Sequence, residues 1–159
     1  MKTKILITGC CGYVGNAMVL DLLKRKKEFD VRVTSRIGKM VDHPEISCFC
    51  CEPFEERPNL REALEGVDVV VHASALEKAN HGTPVEISTL QRIFVLGSVY
   101  LAQAAAQAGV KRFVFLSTIE VDGEVTPPGK KFYADSVPRP KLALGKTMLA
   151  AEREVRKIA

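Results

Sequence analysis

The chain lacks any long hydrophobic run, since no apolar stretch reaches the ~18 residues that a membrane-spanning helix needs. It also lacks a signal-peptide pattern, because a strand-like segment starts at once with Lys4 and Ile5. Its cysteines number five, an odd count without the regular spacing of a disulfide framework. Such a count favours a reducing compartment. We therefore expect a cytoplasmic protein that does not associate with membranes.

Charge of one sign is also scarce, with a net charge of +4 and a single basic run at residues 24–27. This run falls where the first predicted helix ends, and cations there meet the negative end of the helix dipole. It carries no interleaved aromatic residues of the kind that stack on bases. The sequence therefore favours a solvated helix end over a nucleic-acid surface.

The composition is that of an ordinary globular protein, with 47% hydrophobic and 26% charged residues, and 159 residues suffice for a single domain over 1–159. Short apolar runs at 4–8, 31–34, 46–50, 67–72 and 112–117 predict strands. Helical spacing predicts helices at 13–27, 59–65, 84–108 and from the loop at 126–140 to the C-terminus. This alternation predicts a three-layer α/β fold of the Rossmann type, a doubly wound parallel sheet in the order 3-2-1-4-5. A ligand crevice is expected between the first and fourth strands.

Three glycines follow the first strand with the spacing G-x-x-G-x-x-G and directly precede the first helix. Gly9 permits a tight turn, Gly12 leaves room for a pyrophosphate, and Gly15 lets the helix pack on the sheet. Glycines also serve ordinary turns. The strand-turn-helix context favours a dinucleotide, held at the positive end of the helix. The predicted contacts on this turn are Gly9, Cys11, Gly12, Tyr13, Val14 and Gly15.

Beyond the turn, the chain resembles the extended short-chain dehydrogenases/reductases of the NAD-dependent epimerase/dehydratase type over essentially its whole length. The resemblance rests on HASA at 72–75, where the family has His-Leu-Ala-Ala, and on GVKRFVFLST at 109–118. The segment from Val121 to Pro140, with its VDGE and prolines, is similar to nucleotide-sugar 4-epimerases and 4-keto-sugar reductases. The resemblance implies NAD or NADP as cofactor and a nucleotide sugar or similar small molecule as substrate.

Such enzymes use a Tyr-x-x-x-Lys pair, with the tyrosine exchanging the proton, and a serine or threonine that positions the substrate. The resemblance implies that Thr118 is this catalytic hydroxyl. It also implies further cofactor contacts beyond the glycine turn, which are Ala73, Ser74, Ala75 and Ser117.

The Tyr-Lys pair itself is missing. Leu144 aligns with the tyrosine and Met148 with the lysine, and neither side chain can exchange a proton. A shifted register retains Lys146 but no tyrosine, and Tyr133 lies in the preceding loop. We expect Leu144 and Met148 to belong instead to an apolar stripe that packs on the sheet. That stripe continues through Ala151, Val155 and Ile158.

The adenosine end of the predicted site has also changed. Pro53 replaces the family's adenine-contacting Asp, although Phe54 could still provide an apolar wall for the base. No acidic residue ends the second strand; Ser35 and Arg36 stand there, which favours the 2′-phosphate of NADP while leaving NAD open. Phe94 replaces an Asn of the long helix, on a predicted core stripe with Ile87, Leu90 and Leu101.

Cysteine and histidine provide no recognisable metal site. Cys48 and Cys50 face one side of a strand and Cys51 the other, without C-x-x-C spacing, so we expect buried thiols. His43, His72 and His81 stand alone in the sequence, with no visible catalytic pairing.

Family members are longer and carry a C-terminal substrate lobe, which we expect to be absent here. The fifth strand could then be an uncovered edge, and a homodimer through residues 84–108 and 141–159 is expected. Three functions stay open. The chain is a dinucleotide-binding domain without the standard chemistry, an active oxidoreductase or epimerase that uses a non-standard or partner-supplied acid-base group, or a fragment that does not bind.

Overall fold

The computed structural model describes residues 1–36, 43–74, 85–126 and 128–158. Within these ranges the chain forms a parallel five-stranded sheet in the order β3-β2-β1-β4-β5. The predicted doubly wound α/β fold and its strand order are thus confirmed. Ala75, His81 and Pro84 lie outside the described residues.

The elements follow one another in the expected alternation of strands and helices. The strands are β1 (Thr3–Thr8), β2 (Phe29–Ser35), β3 (Ile46–Cys50), β4 (Val69–His72) and β5 (Arg112–Phe115). The helices are α1 (Tyr13–Lys24), α2 (Arg61–Leu64), α3 (Ile87–Leu90), α4 (Gly97–Gln107) and α5 (Ala143–Arg156). A π-helical segment, Gln91–Leu96, joins α3 to α4, and 3₁₀ turns form at Phe54–Glu56 and Ile119–Val121.

The core lies on both faces of the sheet because successive strand side chains point to opposite sides. Leu6 packs on one face with Leu64 of α2 and Leu101 of α4. Ile7, the next residue, packs on the other face with Val19 of α1. These two apolar layers hold the carboxyl ends of β1 and β4 side by side.

Several element ends differ from the sequence prediction. Helix α1 ends at Lys24 rather than at residue 27, because Phe29 already pairs with Thr3 and draws the chain into β2. Strand β4 begins at Val69 and β5 ends at Phe115, so both are shorter than predicted. Within α1, Val19 is buried in the core, whereas Val14 in the first turn is exposed.

The long helix predicted at 84–108 is interrupted by the π-helical segment, which inserts extra backbone and changes the phase of the helix. Leu90, Phe94 and Leu101 are buried as predicted. Ile87 was expected on the same stripe, but 58% of it is exposed at the first position of α3.

Strand β5 is an edge of the described sheet, with β4 as its neighbour. Beside it lies an open groove of about 1140 Å³ that is lined by α4, β5 and α5. The predicted stripe of α5 is buried at Met148 and Ala151, while Leu144, Val155 and Ile158 are half-buried.

Candidate dinucleotide-binding site

A cavity of about 510 Å³ opens where the carboxyl ends of β1, β2 and β4 meet. Parallel strands place these ends at one edge of the sheet, and the crossovers from β1 and β4 depart in opposite directions there. The cavity brings together many of the residues predicted from the sequence. They are Gly9, Cys11, Gly12, Ser35, Arg36, Phe54, Ala73 and Ser74.

The glycine turn is closed by a hydrogen bond from the Gly12 N–H to the Gly9 carbonyl, 3.0 Å long. Gly9 has φ +74°, a conformation that favours glycine, and a Cβ there would lie 2.5 Å from the Ala73 carbonyl oxygen. A Cβ at Gly15 would overlap the carbonyl of Gly9. Both glycines therefore let backbone segments approach each other closely, as the sequence predicts for Gly15.

Gly12 differs from Gly9 and Gly15, because its backbone is extended, with φ −78° and ψ 164°, and leaves room for a side chain. A Cβ there would meet only the Gly9 carbonyl oxygen, at 3.3 Å. Gly12 caps α1 without a side-chain hydrogen bond, and the first turn of α1 contains no acidic residue. The positive end of this helix therefore faces the cavity uncompensated, as an anion site requires.

Other predicted contacts lie outside this cavity. Tyr13 and Val14 are 94% and 48% exposed, and Gly15 is buried behind the turn. Ser117 and Thr118 line the groove beside β5 instead. The Thr118 Oγ1 accepts a 3.4 Å hydrogen bond from the Glu120 N–H, which caps the following 3₁₀ turn.

The part of the cavity where the sequence predicts the adenosine is formed by the end of β2 and the residues that follow β3. Ser35 is buried there, and its carbonyl accepts a hydrogen bond from the Cys51 N–H. Arg36 is exposed beside the cavity. Phe54 stands against the crevice, its ring 5.7 Å from that of His72 in an edge-on arrangement.

Histidine 72 is part of a buried polar chain that the sequence analysis did not identify. The Thr8 Oγ1 lies 2.6 Å from its Nδ1, and the Ser98 Oγ lies 3.0 Å from its Nε2. Ser74 in turn donates to the Thr8 Oγ1 at 3.0 Å. Burial lowers the pKa of His72 to about 4, so the ring is neutral at pH 7. The signal in the sequence is a polar residue at the end of each of two apolar strands, Thr8 and His72, which the structure pairs in register.

The cysteines are distributed over both faces of the sheet. Cys48 and Cys51 are half-buried against opposite core clusters, as the strand alternation predicts. The expectation of a buried thiol is wrong for Cys50, which is exposed because the edge strand β3 has no layer covering it at this position. Among the residues that the structure describes, no group of three or more His, Cys, Asp or Glu side chains could hold a metal ion.

Helix α5 carries the positions where the family has its Tyr-Lys pair. Met148 is 6% exposed and packs with Leu90, Phe94 and Val121, and Leu144 packs against the same cluster. Lys146 is exposed on α5. Tyr133 is 65% exposed and lines neither the cavity nor the groove.

In the part of the chain that the structure describes, no helix combines the length and apolar character needed to cross a membrane.

Known proteins resemble the chain over nearly all of its length. The UDP-glucose 4-epimerase of Vibrio cholerae is 31% identical over 156 residues, covering 98% of this chain and 47% of the enzyme. The 3-beta-hydroxysteroid dehydrogenase of Mycolicibacterium neoaurum is 28% identical, with 95% and 44% covered. The chain therefore spans about half the length of these curated relatives.

Solved structures agree in fold and in family. MoeE5 in complex with UDP-glucuronic acid and NAD has a TM-score of 0.80 at 27% identity, over 98% of this chain and 49% of that one. A short-chain dehydrogenase/reductase superfamily protein from Agrobacterium tumefaciens with bound NAD has a TM-score of 0.79 at 29% identity, over 97% and 44%. Residues 5–159 also match the model of the NAD dependent epimerase/dehydratase family. The resemblance predicted from the motifs is confirmed, and the chain belongs to the NAD-dependent epimerase/dehydratase family.

Proposed function

We propose that this chain binds NAD or NADP in the cavity at the carboxyl ends of β1, β2 and β4. The observation that carries the proposal is the joining of three elements in one crevice. They are the glycine turn, the end of β2 and the end of β4. Two solved structures of similar fold hold NAD, which supports NAD or NADP as the ligand of this chain.

The pyrophosphate is assigned to the N-terminus of α1. Gly12, the N-cap of α1, lines the cavity and has no side chain to fill this space, and the first N–H groups of a helix have no partner within the helix. The absence of an acidic residue in that turn leaves the helix dipole free to attract the anion. Cys11 would contribute its backbone at this position, because it lies next to Gly12 on the cavity wall.

The adenosine would extend towards β2 and Phe54. Arg36 lines the cavity without a neighbouring acidic residue at the end of β2, an arrangement that supports NADP over NAD. Glu52 lines the same cavity and would oppose a 2′-phosphate there. The preference therefore has to be measured as the ratio of the dissociation constants for NADP and NAD.

We further propose that the bound cofactor is not used through the family's Tyr-Lys pair. The apolar packing of Leu144 and Met148 supports this, because a buried leucine and methionine supply neither a proton nor a charge. The engagement of Thr118 as a cap supports a structural role for its hydroxyl. A nucleotide sugar is the substrate class suggested by the similarity to the Vibrio cholerae epimerase.

Calorimetric titration of the chain with NAD, NADH, NADP and NADPH tests the proposal. Binding without turnover of UDP-glucose or a related sugar nucleotide would support a dinucleotide-binding domain without standard chemistry. Turnover would instead establish an active enzyme with a non-standard acid-base group. An absence of heat and of fluorescence change at millimolar cofactor would contradict binding and support a degenerate fragment.

A homodimer through the long helix and α5 is proposed from the half-buried apolar residues of α5, Val155 and Ile158, beside the groove. Analytical ultracentrifugation at micromolar concentration tests it, and a sedimentation coefficient of a monomer would contradict it.

Cytoplasmic location is likewise a proposal, supported by the five free cysteines. Cell fractionation tests it, and recovery outside the cytoplasm would contradict it.

A further inference from the structure

Two adjacent cysteines occupy the middle of the glycine turn. Cys10 and Cys11 are the central residues of the turn that the Gly12 N–H and the Gly9 carbonyl close. Their Sγ atoms lie 3.7 Å apart, and both residues line the dinucleotide cavity. The pair is thus a dithiol built into the segment that would hold the pyrophosphate.

The two thiols have different surroundings. Cys11 is exposed at the cavity, whereas Cys10 is 2% exposed and its Sγ donates to the Thr34 carbonyl at 3.5 Å. Burial, together with the neighbouring Cys11, raises the pKa of the Cys10 thiol to about 12. Because the thiolate is the nucleophile, Cys11 reacts first and Cys10 second.

We propose that Cys10 and Cys11 form a redox-modifiable dithiol, and that its disulfide form and the dinucleotide-bound form of the turn exclude each other. The proposed oxidant is a low-molecular-weight disulfide such as glutathione disulfide. This inference rests on the proposed function, since it assigns a modification to the same cavity.

The chemistry consists of two thiol–disulfide exchanges. The Cys11 thiolate attacks one sulfur of the small disulfide, whose S–S bond breaks and releases one thiolate, which takes up a proton. The Cys10 thiolate then attacks the Cys11 sulfur of the mixed disulfide and releases the second small thiol. In sum the two cysteine thiols are oxidised by two electrons, and the small disulfide is reduced to two thiols. The second exchange is the slow one and speeds up as pH rises, because it needs the Cys10 thiolate.

The disulfide would change the shape of the turn. Adjacent Cα atoms lie about 3.8 Å apart across a trans peptide, closer than the roughly 4.4 Å that disulfides usually require. The trans peptide keeps this separation fixed, so the two Sγ atoms must come together from 3.7 Å to about 2.05 Å by rotation of the side chains and of the backbone on either side of this peptide. The Gly9 carbonyl sits against Gly15, and Gly9 itself against Ala73, so this movement reaches the helix end and the cavity wall.

Linkage then requires the effect to be reciprocal. If oxidation weakens the binding of the dinucleotide, bound dinucleotide must protect the thiols from oxidation to the same degree.

Both effects, the weaker binding after oxidation and the protection by the ligand, are measured on the full chain. Samples are incubated with glutathione disulfide with and without NADPH, blocked with iodoacetamide and mapped by peptide mass spectrometry. The dissociation constant of NADPH is measured by fluorescence before and after oxidation, and again after dithiothreitol.

The expected result is a Cys10–Cys11 disulfide and an oxidised-to-reduced ratio of dissociation constants of about ten or more, reversed by dithiothreitol. Cys11→Ala should give a ratio of one, whatever its own affinity. Cys10→Ala should stop at the mixed disulfide on Cys11, which the peptide map detects as a glutathione adduct. Cys50→Ala removes an exposed thiol outside the cavity and should keep the wild-type ratio.

Three results would overturn the inference: a disulfide that forms without changing affinity, a mixed disulfide that never resolves, or a bond from Cys11 to Cys51 instead. If the reduced protein binds no dinucleotide, the proposed function fails at that step. The peptide map then still decides whether the dithiol forms its disulfide.

Discussion

The Oγ1 of Thr8 lies 2.6 Å from the Nδ1 of His72, across two neighbouring strands at the same register. Ser74 donates to Thr8, so Thr8 donates to Nδ1 and the ring's Nε2–H donates to Ser98. Each polar atom in this chain has a partner while the imidazole stays neutral. A second proton on the ring would make Nδ1 a donor too, so the Thr8 hydroxyl would have to accept from both Nδ1 and Ser74 and its own hydrogen would lose Nδ1 as its acceptor.

The first prediction concerns pH. The pKa of His72 is lowered by burial from 6.5 to about 4, so between these values the unfolded chain binds a proton that the folded chain does not. Stability therefore falls as pH drops from 6.5 to 4, and at ~1.4 kcal/mol per pKa unit the loss is on the order of 3 kcal/mol. Urea unfolding from pH 7.5 to 4.5 measures it. His72→Gln should lose this part of the slope, and parallel curves for both proteins would contradict the assignment.

The second prediction separates two glycines of the same turn. Gly12→Val suits the extended backbone there and should change the free energy of unfolding by no more than about 1 kcal/mol. Its side chain occupies the pyrophosphate space, so the affinity for NADPH should fall by at least about tenfold, or 1.4 kcal/mol. Gly15→Ala instead collides with the Gly9 carbonyl and should cost about 1–3 kcal/mol of stability.

Urea unfolding and fluorescence titration of both variants check this separation. An unchanged affinity in Gly12→Val would show that the pyrophosphate lies elsewhere. A fully stable Gly15→Ala would show that α1 can move away from the turn.

The third prediction concerns the choice of cofactor. Arg36→Ala should weaken the binding of NADPH about tenfold relative to that of NADH, because a hydrogen bond to a charged phosphate contributes about 1.5–3 kcal/mol. Arg61→Ala removes the same charge from α2, away from the cavity, and should leave the ratio as it is. Titrations at low and high salt provide a further check, since the preference of the wild type for NADPH over NADH should fall with salt more than that of Arg36→Ala. Equal losses for NADH and NADPH would place Arg36 outside the 2′-phosphate site.

The fourth prediction restores the family's lysine. Met148→Lys places an ammonium group among the apolar side chains of Leu90, Phe94 and Val121. Destabilisation of about 3 kcal/mol or more is expected for an uncompensated buried charge. Met148→Leu keeps the apolar volume and should cost less than about 1.5 kcal/mol. Urea unfolding compares the two, and a Met148→Lys protein as stable as the wild type would mean that this position reaches water.

The fold and the position of the glycine turn on the cavity could be predicted because their determinants are local in sequence. The run of apolar residues before Gly9, and the spacing from Gly9 to Gly15, directly encode strand, turn and helix. The end of β2 with Ser35 and Arg36 follows from the same reasoning, since strand order places it at the crevice.

The polar chain at His72 could not be predicted in this way. It depends on the register between β1 and β4 and on Ser98, which is 26 residues further along the chain. The π-helical segment likewise has no signature in apolar spacing. The prediction that Ile87 is buried is wrong because this residue stands at the first position of α3. The exposure of Cys50 depends on β3 being an edge strand, and a single strand's composition does not indicate what covers it.

The burial of Met148 also affects which sequences are reachable from this one by single substitutions. Because the side chain fills a cluster with Leu90, Phe94 and Val121, a lysine codon at this position would be selected against through stability before any gain in activity could compensate. The neighbouring side chains would have to change first, so that the cluster opens before the charge is introduced. The packing of one methionine thus makes this helix's departure from the family pattern difficult to reverse in a single evolutionary step.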